Sequence, residues 1–341
     1  MPRSLSTAAV LCIVLCAVSC GGGSSSTSTP PPTTPTPTPT PPTPTNSWSI
    51  AGRVVDSAGQ QPVSGVQITP SWDLTPVASG ADGSYTLGAI PSPPTNPYKL
   101  TISQSGFITR ELWVGWQIGA RNDVTLDLIR DAPPFSLEFY RQFVRGTYDH
   151  SDAPYATKRW TTSPKFYVKT VDQAGKPIEP EVLSVVRDAI ARAVSSYSAG
   201  KLTAAAIDTG TEVRPDAAGW ISVDIQRTND PLVCGRAFVG SDPGLIILYD
   251  DVCSCGSRKI PGSVVMHEVG HALGFYHVAD TNSVMYPFAP GNCPPGDLSA
   301  AEKYHAAIAY SRPAGNVDPD NDPSSGKLLT PESLRRILVV N

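Results

Sequence analysis

The 341-residue chain is poor in charge: Asp, Glu, Lys and Arg make up 16% of it, 26 basic against 30 acidic, with no basic block. Phosphate neutralisation needs clustered Lys and Arg, so no nucleic-acid partner is expected. No apolar run reaches the roughly 20 residues that a helix needs to span a bilayer. Histidine is scarce at five residues, and methionine scarcer at three. Proline, by contrast, is abundant: 35 residues, about twice its usual share of about 5%. Nine of them lie between Pro30 and Pro44, where the only other residue is Thr. Such a stretch is a stiff, extended linker with nothing to bury. The rest of the chain suffices for about two domains of roughly 100 to 200 residues each.

Arg3 precedes an apolar stretch from Ala8 to Val18, with small residues at Ala17, Ser19 and Cys20. Residues 1–19 therefore read as a secretory signal, too short for a membrane span. Ala17-Val18-Ser19-Cys20 and the Gly/Ser run behind it resemble the lipobox and tether of bacterial lipoproteins, although Ala17 stands where Leu is commonest. The resemblance implies that Cys20 becomes the lipidated first residue and anchors the protein to a membrane of the bacterial cell envelope, with 20–47 as tether. Ordinary secretion is the alternative. Outside the cytoplasm Cys234, Cys253, Cys255 and Cys293 form an even set expected to make disulfides. A bridge between Cys253 and Cys255 would close a strained ring, so each is expected to pair outward, with Cys234 and Cys293. A four-thiolate metal site competes with this reading but lacks the two-residue spacings of zinc knuckles.

From Trp48 to Asp131 short alternating segments (49–56, 63–69, 84–87, 98–103 and 124–128) are divided by Gly, Pro, Asn and Asp. Short strands at regular spacing with turn signals predict a small β-sandwich, Ig-like or transthyretin-like, over 48–131. Gly52-Arg53-Val54-Val55-Asp56, the run Pro62 to Ile68, Asp82-Gly83-Ser84-Tyr85-Thr86-Leu87 and Gly106-Phe107 resemble the carboxypeptidase regulatory-like domain, a family of spacers and contact modules. Trp113 and Trp116 read more readily as packed aromatics than as carbohydrate-facing ones. A second domain, 132–312, carries a strand at 165–171 and a helix from Pro180 to Ser198 with Leu183, Val186, Ile190, Val194 and Tyr197 at helical spacing. Strands follow at 204–213, 220–226 and 245–249, then a helix after Pro261. This order predicts a sheet with helices packed on it.

That last helix reads His267-Glu268-Val269-Gly270-His271-Ala272-Leu273-Gly274-Phe275-Tyr276-His277. His267 and His271, four apart, project from one helix face and can grip a single ion. Gly274 lets the helix end in a left-handed turn that returns His277 as a third nitrogen ligand. Three neutral imidazoles leave one of four tetrahedral positions on Zn²⁺ for water, the arrangement of a catalytic site. Glu268 lies beside the metal, placed to take that water's proton and return it to a leaving amine. Histidines that merely satisfied a core would leave the placement of Glu268 and Gly274 unexplained.

The element resembles the signature of the metzincin zinc endopeptidases, and Ser283-Val284-Met285-Tyr286-Pro287 resembles their Met-turn. By that resemblance Met285 is the apolar floor beneath the zinc. The Met-Tyr-Pro wording, and Leu298-Ser299 opening a final helix through Tyr310, are most similar to matrixins. The implied fold is an α+β catalytic domain, a twisted mixed sheet with the active-site helix. Three positions depart from the pattern. Val278 follows the third His where subfamilies carry a more diagnostic residue, Tyr286 stands too close to Met285 to be the astacin-type Tyr, and Ala289 replaces a matrixin specificity-wall Tyr. His150 and His305 are too few for a structural zinc site of the matrixin type, and no cysteine-switch propeptide is visible. Metzincins bind substrate extended along an edge strand. Gly244, Leu245, Ile246 and Ile247 hold the matching place in the order of elements, so main-chain pairing with substrate is expected there.

Beyond Pro313 an acidic linker and a short helix are expected over 313–341. Asp318, Asp320 and Asp322 alternate like half of a Ca²⁺ loop, but Pro323 takes the Gly position and no Glu closes it. A solvated linker is therefore favoured over a Ca²⁺ site. Thr330-Pro331-Glu332 caps a helix to Val340 that docks Leu334, Ile337 and Leu338. The whole reads as an envelope-anchored, monomeric zinc endopeptidase acting on protein or peptide substrates. The competing class is a binding or adhesion protein on a silent metzincin scaffold.

Overall fold

The computed structural model describes residues 48–71, 75–90, 98–115, 120–212, 216–228, 230, 232–252, 259–287, 295–324 and 338–340. The expected signal, Cys20 and the proline linker lie outside them. The first seven strands are β1 (Trp48–Asp56), β2 (Gln67–Pro70), β3 (Val77–Ala78), β4 (Ser84–Ile90), β5 (Tyr98–Ser103), β6 (Arg110–Val114) and β7 (Ala120–Leu128). They build two sheets, ordered β4-β1-β7 and β3-β2-β5-β6. Side chains alternate across a strand, so Ile50 and Val54 of β1, Ile102 of β5, Leu112 of β6 and Leu126 of β7 meet in one buried cluster between the sheets. The sequence did not signal β6, because one of its buried positions is Arg110, a charge where alternation calls for an apolar residue. Trp113 is half-buried on β6, and Trp116 lies outside the described residues.

The second region holds α1 (Leu137–Arg145), β8 (Lys165–Lys169), α2 (Pro180–Tyr197), β9 (Ala206–Gly210), β10 (Trp220–Gln226), β11 (Gly235–Phe238), β12 (Gly244–Tyr249), α3 (Gly262–Ala272), α4 (Ala300–Ser311) and β13 (Leu338–Val340). Its sheet runs β13-β11-β12-β10-β8-β9. Strands β9, β8, β10 and β12 are parallel, while β11 is antiparallel to both of its neighbours. Helices α2 and α3 pack on the sheet through Val186, Ile190, Val194, Val265 and Val269. From Ser263 to Ala272 every residue of α3 is buried, as expected of a helix that is apolar nearly all round.

Two expectations fail here. Gly244, Leu245, Ile246 and Ile247 do not form an edge: β12 lies between β10 and β11. Its apolar run of Leu and Ile marks a strand paired on both sides, and the four-residue β11 was too short to announce itself. The tail through Val340 is not helical at its end either, because Leu338–Val340 is a strand on β11. Consecutive β-branched residues favour extended chain. Leu334 and Ile337 lie outside the described residues.

Residues 313–324 are not a solvated linker. Asn316 and Asp320 are fully buried. Asp318 pairs with Arg141 at 2.8 Å, Asp322 with Arg110 at 2.7 Å and Asp320 with Arg312 at 2.7 Å. Each of the three carboxylates is thus compensated by an arginine, which removes the reason to expect Ca²⁺. Arg312 has no exposed surface, and it also reaches Asp127 of β7 and, at 2.9 Å, the Ser57 hydroxyl. Asp127 takes Arg110 as well. Burial pushes the Asp127 carboxyl up, but Arg312 and Arg110 outweigh it and hold it down at about 2. This buried hub ties the two-sheet region to the end of α4.

Candidate metal centre

The site is assembled from the end of α3, the chain just after it and a turn beyond α1. Leu273 ends α3, its N–H reaching back to Val269 and Gly270. Gly274 follows at φ +111°, and a Cβ there would overlap the Lys158 carbonyl. Only glycine fits this turn. The turn brings His277 round to His267 and His271, and the three ligand nitrogens lie within 4.8 Å of one another, all three residues buried. The Nε2 atoms of His267 and His271 are 2.9 Å apart.

Each imidazole is held through its other nitrogen. His267 Nδ1 donates to the Val284 carbonyl at 2.6 Å, and His271 Nδ1 to the Phe275 carbonyl at 2.8 Å. His277 Nδ1 lies 3.0 Å from an Asp149 carboxylate oxygen. Donation from Nδ1 fixes the tautomer and leaves an Nε2 lone pair facing the common point. Burial, then the neighbouring His267 and His277, push His271 well below its ordinary value, so it stays neutral. Three buried, converging imidazoles fit Zn²⁺ in donor type and number.

Glu268 is fully buried beside His267 and packs against Gly235, where a Cβ would overlap its carboxylate. Met285 is also buried. Its Sδ accepts from the Tyr197 hydroxyl at 3.0 Å, and its N–H donates to Ser283 Oγ at 2.9 Å and Glu302 Oε1 at 3.2 Å. Glu302 closes the capping box of α4 with Ser299. Burial raises the Glu302 carboxyl, with hydrogen bonds from Ser283 and Ser299 opposing. One glutamate thus starts α4 and fixes the turn that carries Met285. Cys234 is buried and disulfide-bonded. Cys253, Cys255 and Cys293 lie outside the described residues, so the expected pairing stays an expectation.

Sequence reasoning missed α1 and, with it, Asp149. The signals for the helix were present: Ser136 accepts from Phe139 N–H as N-cap, and Gly146 ends the helix in a left-handed conformation. Helix α1 braces the ligand loop, its Phe143 carbonyl accepting from Tyr276 N–H at 2.9 Å and Gln142 Oε1 from Ala279 N–H at 2.9 Å. Nothing local in sequence marks Asp149, which meets His277 from 128 residues away. Asp149→Asn is expected to weaken metal affinity about 10- to 100-fold, read by competition against a chelator with the circular dichroism unchanged. Unaltered affinity would refute the orienting role.

The matrixin family model matches residues 258–302, a segment that contains the three histidines, Glu268, Met285 and the start of α4. No curated protein matches the chain. Among solved structures, the hatching enzyme zinc-protease HCE-1 of the medaka fish Oryzias latipes is 14% identical, with a TM-score of 0.27, over 46% of this chain and 98% of that one. A mutant cohesin–X-dockerin complex from Acetivibrio cellulolyticus is 10% identical, with a TM-score of 0.19, over 24% of this chain and 56% of that one. A DUF3823 family protein from Parabacteroides merdae is 17% identical, with a TM-score of 0.19, over 25% of this chain and 46% of that one. The chain thus spans about half the length of the latter two, and at these TM-scores the three likenesses carry no argument. The matrixin match and the buried histidine group together support a metzincin-like metallopeptidase site.

Proposed function

We propose that the chain is a zinc-dependent endopeptidase that cleaves proteins outside the cytoplasm. The observation that carries this reading is the set of three buried imidazoles, each tied through Nδ1, with the Glu268 carboxylate one residue from the first. His267, His271 and His277 would hold the ion. When bound, zinc supplies a Lewis acid for the scissile carbonyl and brings the pKa of a water toward about 7. Glu268 takes a proton from the attacking water and delivers it to the departing amine. Asp149, Val284 and Phe275 keep the imidazoles from rotating, and Met285 with Tyr197 closes the packing around them.

The sequence of 1–47 supports an envelope location, with Cys20 as lipid anchor and the proline run as stalk. At about 3.1 Å per residue for polyproline-like chain, the stalk spans several tens of Å. The two-sheet region, with its resemblance to carboxypeptidase regulatory-like domains, then serves as spacer and brace. The purified protein is expected to carry about one zinc per chain and to cleave unfolded casein. Chelation by phenanthroline should stop cleavage and restored zinc recover it. Cleavage indifferent to the chelator would refute the reading.

A further inference from the structure

The strand that covers β11 comes from the tail: Val340 faces Arg236, Val339 faces Ala237 and Leu338 faces Phe238 in antiparallel register. The other side of β11 pairs with β12. Without β13, the outward N–H and C=O row of β11 is an open edge, on which an extended peptide adds a strand. That edge adjoins the chemistry at both ends. Gly235, the first residue of β11, packs on the Glu268 carboxylate. Gly240, two residues past the last, donates its N–H to the His271 carbonyl at 2.9 Å. A peptide laid along β11 therefore passes beside the general base and a metal ligand.

Leu338-Val339-Val340 has the composition of a strand and carries no charge or proline, the devices by which native edges deter pairing. We propose that this segment is an intramolecular occupant of the peptide-docking edge of β11, so that the tail competes with substrate and holds the enzyme partly closed. The resident sequence also indicates the substrate class, an extended apolar peptide rich in β-branched residues. The inference rests on the reading of the site as a peptidase.

The test compares the full chain, a chain ending at Ser324, and full-length Val339→Pro, whose missing N–H and fixed φ oppose strand pairing. Cleavage of an extended apolar peptide gives KM and kcat, and amide exchange of Ala237, whose N–H faces the tail strand rather than β12, reports occupancy of the edge without reference to catalysis. Both variants are expected to lower KM about tenfold, the factor for an edge covered about nine-tenths of the time. With a competitor removed, kcat stays unchanged, and exchange protection at Ala237 is lost. A synthetic peptide of residues 335–341 restores both at about millimolar concentration, the effective concentration of a short tether. Unchanged KM or unchanged protection overturns the proposal. Protection lost and restored with no cleavage in any variant leaves tail docking standing and overturns the peptidase reading instead. Should the shortened chain not fold, Val339→Pro carries the comparison.

Discussion

Glu268→Ala is expected to abolish the proposed peptide-bond cleavage while zinc content and fold stay intact. The carboxylate is fully buried and held against Gly235, which fixes its place beside His267. A positioned general acid–base contributes about 10² to 10⁴ in rate, and two successive proton transfers put this site at the upper end. The fold is expected to survive because the substitution removes a buried carboxylate whose desolvation opposes folding. Metal content survives because the three nitrogens and their Nδ1 partners at Val284, Phe275 and Asp149 are untouched. Hydrolysis of a quenched-fluorescent peptide, zinc by atomic emission and near-UV circular dichroism read the three quantities. Full activity in the variant would sink the mechanism. Loss of zinc with loss of activity would reassign Glu268 to the support of the ligands.

The second large effect belongs to stability. Arg312→Ala leaves Asp320 and Asp127 without their shared guanidinium, and breaking a buried pair by removing one partner costs about 3–5 kcal/mol. For a chain of this size each kcal/mol lowers the melting temperature by about 2–4 °C, so a fall of about 10 °C is expected in calorimetry. The same hub sets an acid limit. Asp127 titrates at about 2 in the folded state against 3.8 for the free side chain. A depressed folded value means that its contribution is complete above about pH 4 and is lost as the pH falls toward 2. The contribution is about 2 kcal/mol. Asp127→Asn should flatten the stability profile in that window, and an unchanged profile would remove the carboxylate from the account.

The convergence of the three histidines was legible in sequence because a helix converts spacing into geometry: residues four apart share a face, and a glycine two turns from the start of the motif forces the return of His277. Met285 and the α4 cap at Ser299 were legible for the same reason, both depending on neighbours close in the chain. The edge strand was not. Which strand lies outermost is decided by pairings between β11 and β12 and between β11 and β13, and β13 lies 100 residues from its partner. The buried arginines were illegible too, since Arg110 and Arg312 look like solvated charges until Asp127, Asp320 and Asp322 arrive from other elements. The alternating aspartates suggested a cation and do meet one, but it is a guanidinium.

The Arg312 joint decides what counts as the smallest portable piece of this protein. A fragment starting at Phe135 keeps the whole candidate metal centre yet loses Asp127 and Ser57, leaving Arg312 with Asp320 as its one remaining carboxylate among the partners described above. Exchanging the first region for an unrelated module meets the same obstacle unless the newcomer offers an acid at that spot. The piece to lift out, graft or crystallise alone is therefore expected to begin at residue 48, with one shared melting transition for its two apolar cores as the sign of the joint.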